Sequence, residues 1–367
     1  MKVRYSYLKQ QFSNCNDLWS KLKKFVSTGD FTLGKELESF EKKFANLIGT
    51  KFAIGVNSGT DAIKLSLRAL NIGHGDEVIT AANTFVATVG AITEIGATPV
   101  FVDCDDTFCM NVSQIEKKIR KKTKAIVPVH FTGYMTNMPK LIQIANKHKI
   151  PIVEDACQSI LASINKKNAG TWGDFGAFSF HPLKNINVWS DGGMITTNKF
   201  KHYKKLLLLR NHGLIDRNTV KINGYNSRLD TFQAVVGNWI LPKAKFIAQR
   251  RIKNAQYYDR HFSKIKQIKI PPRPNNYKIV YHLYIIFAEK RDSLYKYCLK
   301  NGIEAKVHYP KPMYLQDSLK YLRHKLGDFS VTDSHAKKII SFPCDQHLSR
   351  TQMNYIINTV KKFYRNY

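Results

Sequence analysis

The sequence of 367 residues has no closely spaced cysteine pair and no long apolar run. Its six cysteines are scattered, and none forms a Cys-x-x-Cys pair, so we expect neither a metal site nor a disulfide framework. No run approaches the roughly 18 apolar residues of a membrane helix, and the N-terminus "MKVRYSYLKQQFSNCND" has no apolar signal-peptide core. These absences predict a cytoplasmic protein that does not bind a membrane.

Acidic residues are also scarce, with 27 Asp and Glu against 58 Lys and Arg, which gives a formal net charge of +31. Such a charge would suit nucleic acid or an anionic membrane surface. The basic residues are dispersed, however, with only short clusters such as "KKIRKKTK" at 117–124, and no nucleic-acid motif accompanies them. We therefore expect no nucleic-acid partner, although the charge would still attract an anionic substrate.

Between residues 51 and 198 the sequence alternates short apolar runs with helical periodicity. The predicted strands are "FAIGV", "DEVIT", "TPVFVD", "KAIVPVH", "PIVEDA", "GAFSF" and "GGMITTN". The predicted helices are "GTDAIKLSLRALNI", "TFVATVGAITEIG", "VSQIEKKIRKKT" and "NMPKLIQIANKHK". Ser113 and Glu116 have the spacing of a capping box at the start of the third helix. Repeated strand–helix–strand units with continuously apolar strands predict an α/β fold with a mostly parallel central sheet covered by helices.

The pattern changes after about Pro242. A long polar helix, "AKFIAQRRIKNAQYYDRHFSKI", is followed by predicted strands at "YHLYIIFA" and "EAKVHYP". We expect a large domain with an N-terminal arm over residues 1–241 and a smaller α+β domain over residues 242–367.

Three motifs carry candidate chemistry, and each has an ordinary structural alternative. The stretch "NSGTD" at 57–61 lies between a strand and a helix, where Gly59 allows close approach and Thr60 can donate to a phosphate. The same letters also make an ordinary N-cap. Asp155 in "VEDACQ" ends a buried strand, where ligands bind in open α/β sheets, but it could instead cap a helix.

The third motif is "FSFHPLKNINVWSDGG", which carries Lys184 in an aromatic, strand-like setting. Pyridoxal phosphate chemistry needs a lysine for the Schiff base, an acid at the pyridine nitrogen, a phosphate cradle and an aromatic ring on the cofactor face. Lys184, Asp155, the "SGT" turn with Ser179, and Phe85 together supply all four. The combination predicts a pyridoxal phosphate site.

With these motifs in place, the sequence resembles the DegT/StrS family of pyridoxal-phosphate sugar aminotransferases over nearly its whole length. The stretches that carry the resemblance include "GDFTLGKELESFEKKFA", "GVNSGTDAIKLSLRAL", "VPVHFTGYMTNM", "VEDACQS", "FSFHPLKN", "DGGMITTN", "GYNSRLD" and "VHYPKPMYLQ". The resemblance implies the type I fold of aspartate aminotransferase and pyridoxal 5'-phosphate as cofactor.

The resemblance also implies a role for each matching residue. Lys184 forms the Schiff base, Asp155 holds the pyridine nitrogen protonated, Gln158 lies beside the ring hydroxyl and Phe85 stacks on the ring. The implied phosphate contacts are Gly59, Thr60 and Ser179.

Asn226 matches an asparagine that reaches the phosphate from the other subunit, which implies a homodimer with shared sites. His308 and Tyr309 match a loop that approaches the sugar nucleotide, although ordinary strand-end packing would explain them equally well.

The implied reaction moves an amino group from glutamate to a keto group of a nucleotide-linked deoxysugar, for surface polysaccharide or glycoconjugate synthesis. The "DGG" and "NSRLD" stretches favour a 3-keto-6-deoxyhexose carried by dTDP or UDP. His181 in "SFHPLKN" is more typical of 4-keto members, which stay an alternative. A sugar dehydratase is a remote alternative, because the best-known dehydratases have lost the lysine that this chain retains. A non-catalytic regulatory homologue is another.

Overall fold

The computed structural model describes residues 1–365 of the chain. Its α-helices are α1 Leu8–Gln11, α2 Asn16–Val26, α3 Lys35–Ile48, α4 Gly59–Ala69, α5 Val86–Glu94, α6 Met138–His148, α7 Phe200–Leu209, α8 Thr231–Ile240, α9 Ala244–Phe262, α10 Arg291–Lys300, α11 Ser330–Lys338 and α12 Arg350–Arg365. Its strands are β1 Phe52–Val56, β2 Glu77–Ala81, β3 Thr98–Val102, β4 Thr123–Val127, β5 Val153–Asp155, β6 Ser163–Ile164, β7 Lys167–Asn168, β8 Phe175–Ser179, β9 Gly193–Thr197, β10 Ile268–Lys269, β11 Tyr277–Lys278, β12 Tyr284–Ala288 and β13 Ile339–Phe342.

A mixed sheet forms the centre of the fold. One part has the order β3-β2-β4 with parallel pairing, and the other has the order β1-β9-β8-β5. Parallel bridges between Ile126 and Ile152 and between Val129 and Asp155 join β4 to β5. Within this sheet β9 runs antiparallel to both of its neighbours, whereas β5 and β8 are parallel. The predicted α/β fold with a mostly parallel sheet is confirmed.

The apolar strands explain why helices cover this sheet. β8 and β9 are buried at every position, so neither face of the sheet can meet water there. Helix α4 packs on one side with the buried residues Ile63 and Leu67, and α3 and α8 pack together with Phe40 and Trp239. The carboxyl ends of β5 and β8 lead into loops, and these loops carry the polar residues of the candidate site.

The helix predicted for "VSQIEKKIRKKT" is wrong. The segment forms two short 3₁₀ turns, Val112–Gln114 and Glu116–Lys118, and Asn111 caps the first by accepting the Ser113 N–H at 3.1 Å. Few of its side chains are buried, and a short basic segment without a wide apolar face gains too little from packing to hold a helix. Glu116, predicted to complete a capping box, instead binds Lys147 and His148 of α6.

A smaller antiparallel sheet with the order β10-β12-β13 forms the C-terminal part. Its core is rich in aromatic side chains, including the fully buried Tyr258, Tyr284 and Phe342. The strand predicted for "EAKVHYP" is wrong, because Lys306 makes only a single bridge to Ser341. The chain then leaves the sheet towards the candidate site.

The N-terminal arm packs on this C-terminal part, with Val3 bridging in parallel to Ile303. Helix α9 contributes to both large cores, since Ile247 packs in the first and Tyr258 in the second. Because α9 packs in both cores, the predicted boundary between a large and a small domain at residue 241 stays a prediction. Among residues 1–365, no helix has both the length and the apolar character needed to cross a membrane.

Candidate active site

A cavity of about 360 Å³ lies where the loops after β5 and β8 meet the C-terminal part of the molecule. Its walls contain every predicted site residue but one. These residues are Gly59, Thr60, Phe85, Asp155, Gln158, Ser179, His181, Lys184, His308 and Tyr309. The exception is Asn226, which is described below.

The start of α4 forms one end of the cavity. Ser58 caps this helix by accepting the Asp61 N–H at 3.1 Å, and the first N–H groups of any α-helix lack an intrahelical acceptor. A Cβ atom on Gly59 would lie 2.7 Å from the Ser179 Cβ, and one on Gly193 would lie 2.2 Å from the Ser58 carbonyl oxygen. Glycine at both positions lets the helix start approach β8 and β9. The result is a compact set of N–H and hydroxyl donors suited to a phosphate.

Asp155 lies at the end of β5 with 6% of its surface exposed. Its carboxylate accepts the Thr88 hydroxyl at 2.7 Å and the Cys157 N–H at 3.2 Å. Residues 156–162 form turns, so the interpretation of Asp155 as an α-helix cap is wrong. An ionised carboxylate has about four acceptor positions, and these two hydrogen bonds leave some of them for a charged donor from the cavity. A protonated pyridine nitrogen is such a donor.

Lys184 lies in the loop between β8 and β9 and is partly buried. Its backbone N–H donates to the His181 carbonyl at 2.8 Å, which closes a turn in this loop. Burial lowers the pKa of the Lys184 amine from 10.5, although Cys157 and Asp155 oppose that shift. A lowered pKa increases the fraction of free amine, and the free amine is the form that attacks a carbonyl carbon.

Gln158, Phe85 and Tyr309 also line the cavity. The Gln158 side chain accepts the Thr132 N–H at 2.8 Å, which fixes its orientation. Phe85 is 48% exposed, and its ring centroid lies 6.0 Å from that of Tyr309. An aromatic side chain left open at a cavity wall is available to stack on a planar ring.

Two histidines from the C-terminal part complete the cavity. His308 shares a hydrogen bond with the Ser341 hydroxyl at 2.9 Å, and burial lowers its pKa to about 4. His282 also lies in the wall, where its Nδ1 atom is buried without a hydrogen-bond partner among the described residues. Burial, followed by the positive charge of Lys184, lowers the pKa of His282 well below 6.5. Both imidazoles are therefore neutral near pH 7.

Sequence reasoning did not single out His282, Cys157 or Asp191, which lie in the same walls. His282 was absorbed into the predicted strand "YHLYIIFA". The available signal was a polar residue directly before an apolar strand, and this signal is too common to identify a site.

Asn226 lies outside the cavity and is exposed. Its segment is held to α4, because the Ser227 hydroxyl donates to Asp61 at 2.7 Å and the Lys64 amine lies 4.8 Å from the Tyr225 ring centroid. The contact predicted for Asn226 therefore does not occur within this chain, and its reach into a partner's site stays a prediction. Within residues 1–365, no group of three His, Cys, Asp or Glu side chains is arranged to hold a metal ion.

A family model described as the DegT/DnrJ/EryC1/StrS aminotransferase family matches residues 15–361. The chain belongs to this family. The family resemblance and the aminotransferase class predicted from the sequence are thus confirmed.

Known relatives add detail. The UDP-N-acetyl-3-dehydro-alpha-D-glucosamine 3-aminotransferase of Acidithiobacillus ferrooxidans is 36% identical over 95% of this chain and 94% of its own length. Among solved structures, S. venezuelae DesV in complex with a ketimine intermediate is 33% identical with a TM-score of 0.96, covering 99% of this chain and 98% of that one. NtdA of Bacillus subtilis with bound cofactor PMP is 29% identical with a TM-score of 0.92, covering 99% and 85%. PMP is the amino form of the predicted cofactor.

Proposed function

We propose that this chain is a pyridoxal-phosphate-dependent aminotransferase that moves an amino group from glutamate to a nucleotide-linked 3-keto-6-deoxysugar. The observation that carries the proposal is the meeting of Lys184, Asp155 and the helix start at Gly59 in one cavity. When bound, the cofactor would carry the amino group and act as an electron sink. These three features come from separate parts of the chain, and the fold brings them into one cavity. A random set of surface residues would not be expected to combine them.

The residues present fit this cofactor. Gly59, Thr60 and Ser179 offer donors to a phosphate, in a cradle that a Cβ at Gly59 would fill. The hydrogen bonds from Thr88 and Cys157 leave acceptor capacity on the Asp155 carboxylate for the pyridine N–H. Lys184 provides the amine for covalent attachment. Once free again, this amine can take and return a proton at the substrate carbon.

The His282, His308 and Tyr309 side chains in the cavity lining are suited to a neutral, hydroxyl-rich substrate group. Because both imidazoles stay neutral near pH 7, they can donate and accept hydrogen bonds without repelling one another. A nucleotide diphosphate further out would be attracted by the net charge of +31. The relative that acts on a UDP-linked 3-dehydro sugar supports the 3-keto choice.

A 4-keto sugar stays the alternative substrate. His181, the residue associated with it, lies exposed in the cavity wall, where its Nδ1 accepts the Leu183 N–H at 3.2 Å. A panel of 3-keto and 4-keto nucleotide sugars, each with dTDP, UDP or GDP, tests the choice directly. Amine transfer from glutamate to a 3-keto member at the highest kcat/KM is expected. A clear preference for a 4-keto member would make a 4-keto sugar the substrate. If no member of the panel accepted the amine, the proposed activity on nucleotide sugars would be contradicted.

We further propose a homodimer in which Asn226 reaches the partner's cofactor phosphate. The exposure of Asn226 supports this, as does the attachment of its segment to α4 through Ser227 and Asp61. Mixing Lys184→Ala chains with Asn226→Asp chains tests it after subunit exchange. Shared sites place both defects in one site of each mixed dimer and leave the other site intact, so activity returns. If sites lie within single chains, no activity reappears even though exchange is demonstrated.

The cytoplasmic location stays a prediction, and cell fractionation tests it. The role in polysaccharide or glycoconjugate synthesis also stays a prediction. It depends on which sugar the panel identifies.

A further inference from the structure

A row of side-chain amides links the C-terminal part of the molecule to the loop after β8, and it passes through helix α1. Arg251 Nε donates to Gln346 Oε1 at 3.0 Å, and Gln346 Nε2 donates to Gln11 Oε1 at 2.6 Å. Gln11 Nε2 then donates to Asn187 Oδ1 at 2.6 Å, and Asn187 Nδ2 donates to the Pro182 carbonyl. We call Gln346, Gln11 and Asn187 the amide chain.

The chemistry of its two ends fixes the direction of the amide chain. Arg251 can only donate, and a backbone carbonyl such as that of Pro182 can only accept. Each amide between them must therefore accept from the Arg251 side and donate towards the loop. Arg251 is itself held by the Tyr281 carbonyl at 3.1 Å and by Asp345 at 3.3 Å. Rotating one side-chain amide by half a turn would place a donor against a donor on one side and an acceptor against an acceptor on the other.

The amide chain is largely shielded from water. Gln346 is 5% exposed and Asn187 is 1% exposed, whereas Gln11 is partly buried between them. Because a buried amide that loses its partner pays a desolvation cost, each link favours the next. Gln11 belongs to the N-terminal arm, far in sequence from both of its partners.

The amide chain ends on the backbone that carries Lys184. Pro182, whose carbonyl receives the last hydrogen bond, precedes the lysine by two residues, and the Val188 N–H closes the same loop onto the Phe180 carbonyl at 2.9 Å. A second tether runs from the Asn185 amide to the Val280 carbonyl at 3.2 Å. The loop is thus held from the C-terminal side as well as by its own sheet.

We propose that Gln11 is a positioning residue for Lys184. It connects Gln346, which is held by Arg251, to Asn187, which holds the lysine loop. This inference rests on the covalent role proposed above for Lys184. On this proposal the N-terminal arm helps to position the reacting lysine, although Gln11 does not itself line the cavity.

The test measures how fast Lys184 captures the cofactor. Cofactor-free protein is mixed with pyridoxal phosphate, samples are reduced with borohydride at set times, and the modified Lys184 peptide is quantified by mass spectrometry. Gln11→Leu and Gln11→Glu are each expected to slow capture about tenfold or more, since a reacting group displaced by even a fraction of an ångström loses much of its rate. Glutamate has nearly the size of glutamine but cannot donate to Asn187. A purely steric role would tolerate it.

The matched control is Gln10→Leu, at an exposed neighbour in the same helix, which should leave capture unchanged. Gln346→Glu keeps the Arg251 partner but cannot donate to Gln11, so it should also slow capture. It serves as the decisive variant if the Gln11 proteins do not fold, as judged by thermal unfolding. Wild-type capture rates in the folded variants would overturn the role of Gln11 and leave that of Lys184 standing. No modification of Lys184 in the wild-type protein would instead contradict the proposed function itself.

Discussion

Glu154 and Asp155 are neighbours in β5, yet the two sides of the sheet give their carboxyl groups opposite surroundings. Glu154 is fully buried and accepts four donors: His130 Nε2 at 2.9 Å and the N–H groups of Gly170, Trp172 and Gly173 at 2.9, 2.7 and 2.8 Å. Asp155 accepts the Thr88 hydroxyl and the Cys157 N–H, and it faces the cavity.

The difference separates a structural acid from a candidate functional one. Successive side chains of a strand point to opposite faces, so a single step along β5 moves from a saturated network to an open site. The four donors leave Glu154 no capacity for a ligand, and they fasten the loop at 170–173 to the strand. Asp155 keeps an unused acceptor where a ligand can reach it. Charge and burial alone do not distinguish the two residues.

The largest expected effect comes from the cavity side, in Lys184→Ala. Amine transfer should fall about a thousandfold or more, because the variant lacks the amine proposed both for covalent attachment and for general acid–base catalysis. Folding should be preserved, and Lys184→Arg should not restore activity, since a guanidinium stays protonated. Lys205→Ala is the matched control, since Lys205 is also partly buried with a pKa lowered by burial but lies in α7. Normal turnover by Lys184→Ala would remove the lysine from the mechanism.

Asp155→Asn should slow the glutamate half-reaction on the order of 100-fold, as expected when a preorganised electrostatic partner is lost. The neutral amide cannot hold a proton on the pyridine nitrogen. Single-turnover kinetics measure the effect, and denaturant unfolding should show little loss of stability. An unchanged rate would mean that Asp155, like Glu154, is only structural.

Glu154→Gln should reverse that result, with a large effect on stability and a smaller one on chemistry. The new NH₂ group would replace a carboxylate oxygen that accepts two hydrogen bonds, so two donors would lose their acceptor. We therefore expect a loss of about 2 to 3 kcal/mol in the free energy of unfolding. Urea unfolding measures it. A rate loss as large as that of Asp155→Asn, without destabilisation, would end the contrast between the two sides.

The smallest expected effect is a pH dependence of the free energy of unfolding, caused by His335 in the C-terminal part. Burial lowers the pKa of His335 from 6.5 to about 4, although Asp106 and Asp103 oppose the shift. The unfolded chain takes up a proton below pH 6.5 while folded His335 resists until about pH 4, so stability falls with pH across that window. Between pH 7 and pH 5, His335 should lower the free energy of unfolding by about 2 kcal/mol.

His335→Leu should remove this part of the acid sensitivity, as measured by the free energy of unfolding at pH 7 and pH 5. Amine transfer at pH 7 should be unchanged, because His335 packs on Phe108 and Phe287 and does not line the cavity. The same pH dependence in both proteins would assign the effect to other groups.

Much of the fold follows from local patterns in the sequence. The apolar runs at β1, β2, β8 and β9 and the helical periodicity of α4, α5 and α6 are local properties, and they predicted these elements closely. The prediction failed at 112–118, where a helix needs a packing partner for its apolar side and the structure buries little of it. It failed again at 304–310, where only a distant partner decides whether an extended segment becomes a strand.

The sequence by itself determined the chemistry of the motifs: a lysine in a strand-to-strand loop, an acid at a strand end, and a glycine at a helix start. These depend on short stretches whose geometry is set by neighbouring residues. Only the tertiary structure decided which side chains face one another. It brought His282 to the cavity and placed Gln11 between Gln346 and Asn187. Such meetings depend on packing between segments that are far apart in the sequence, and local periodicity does not encode that packing.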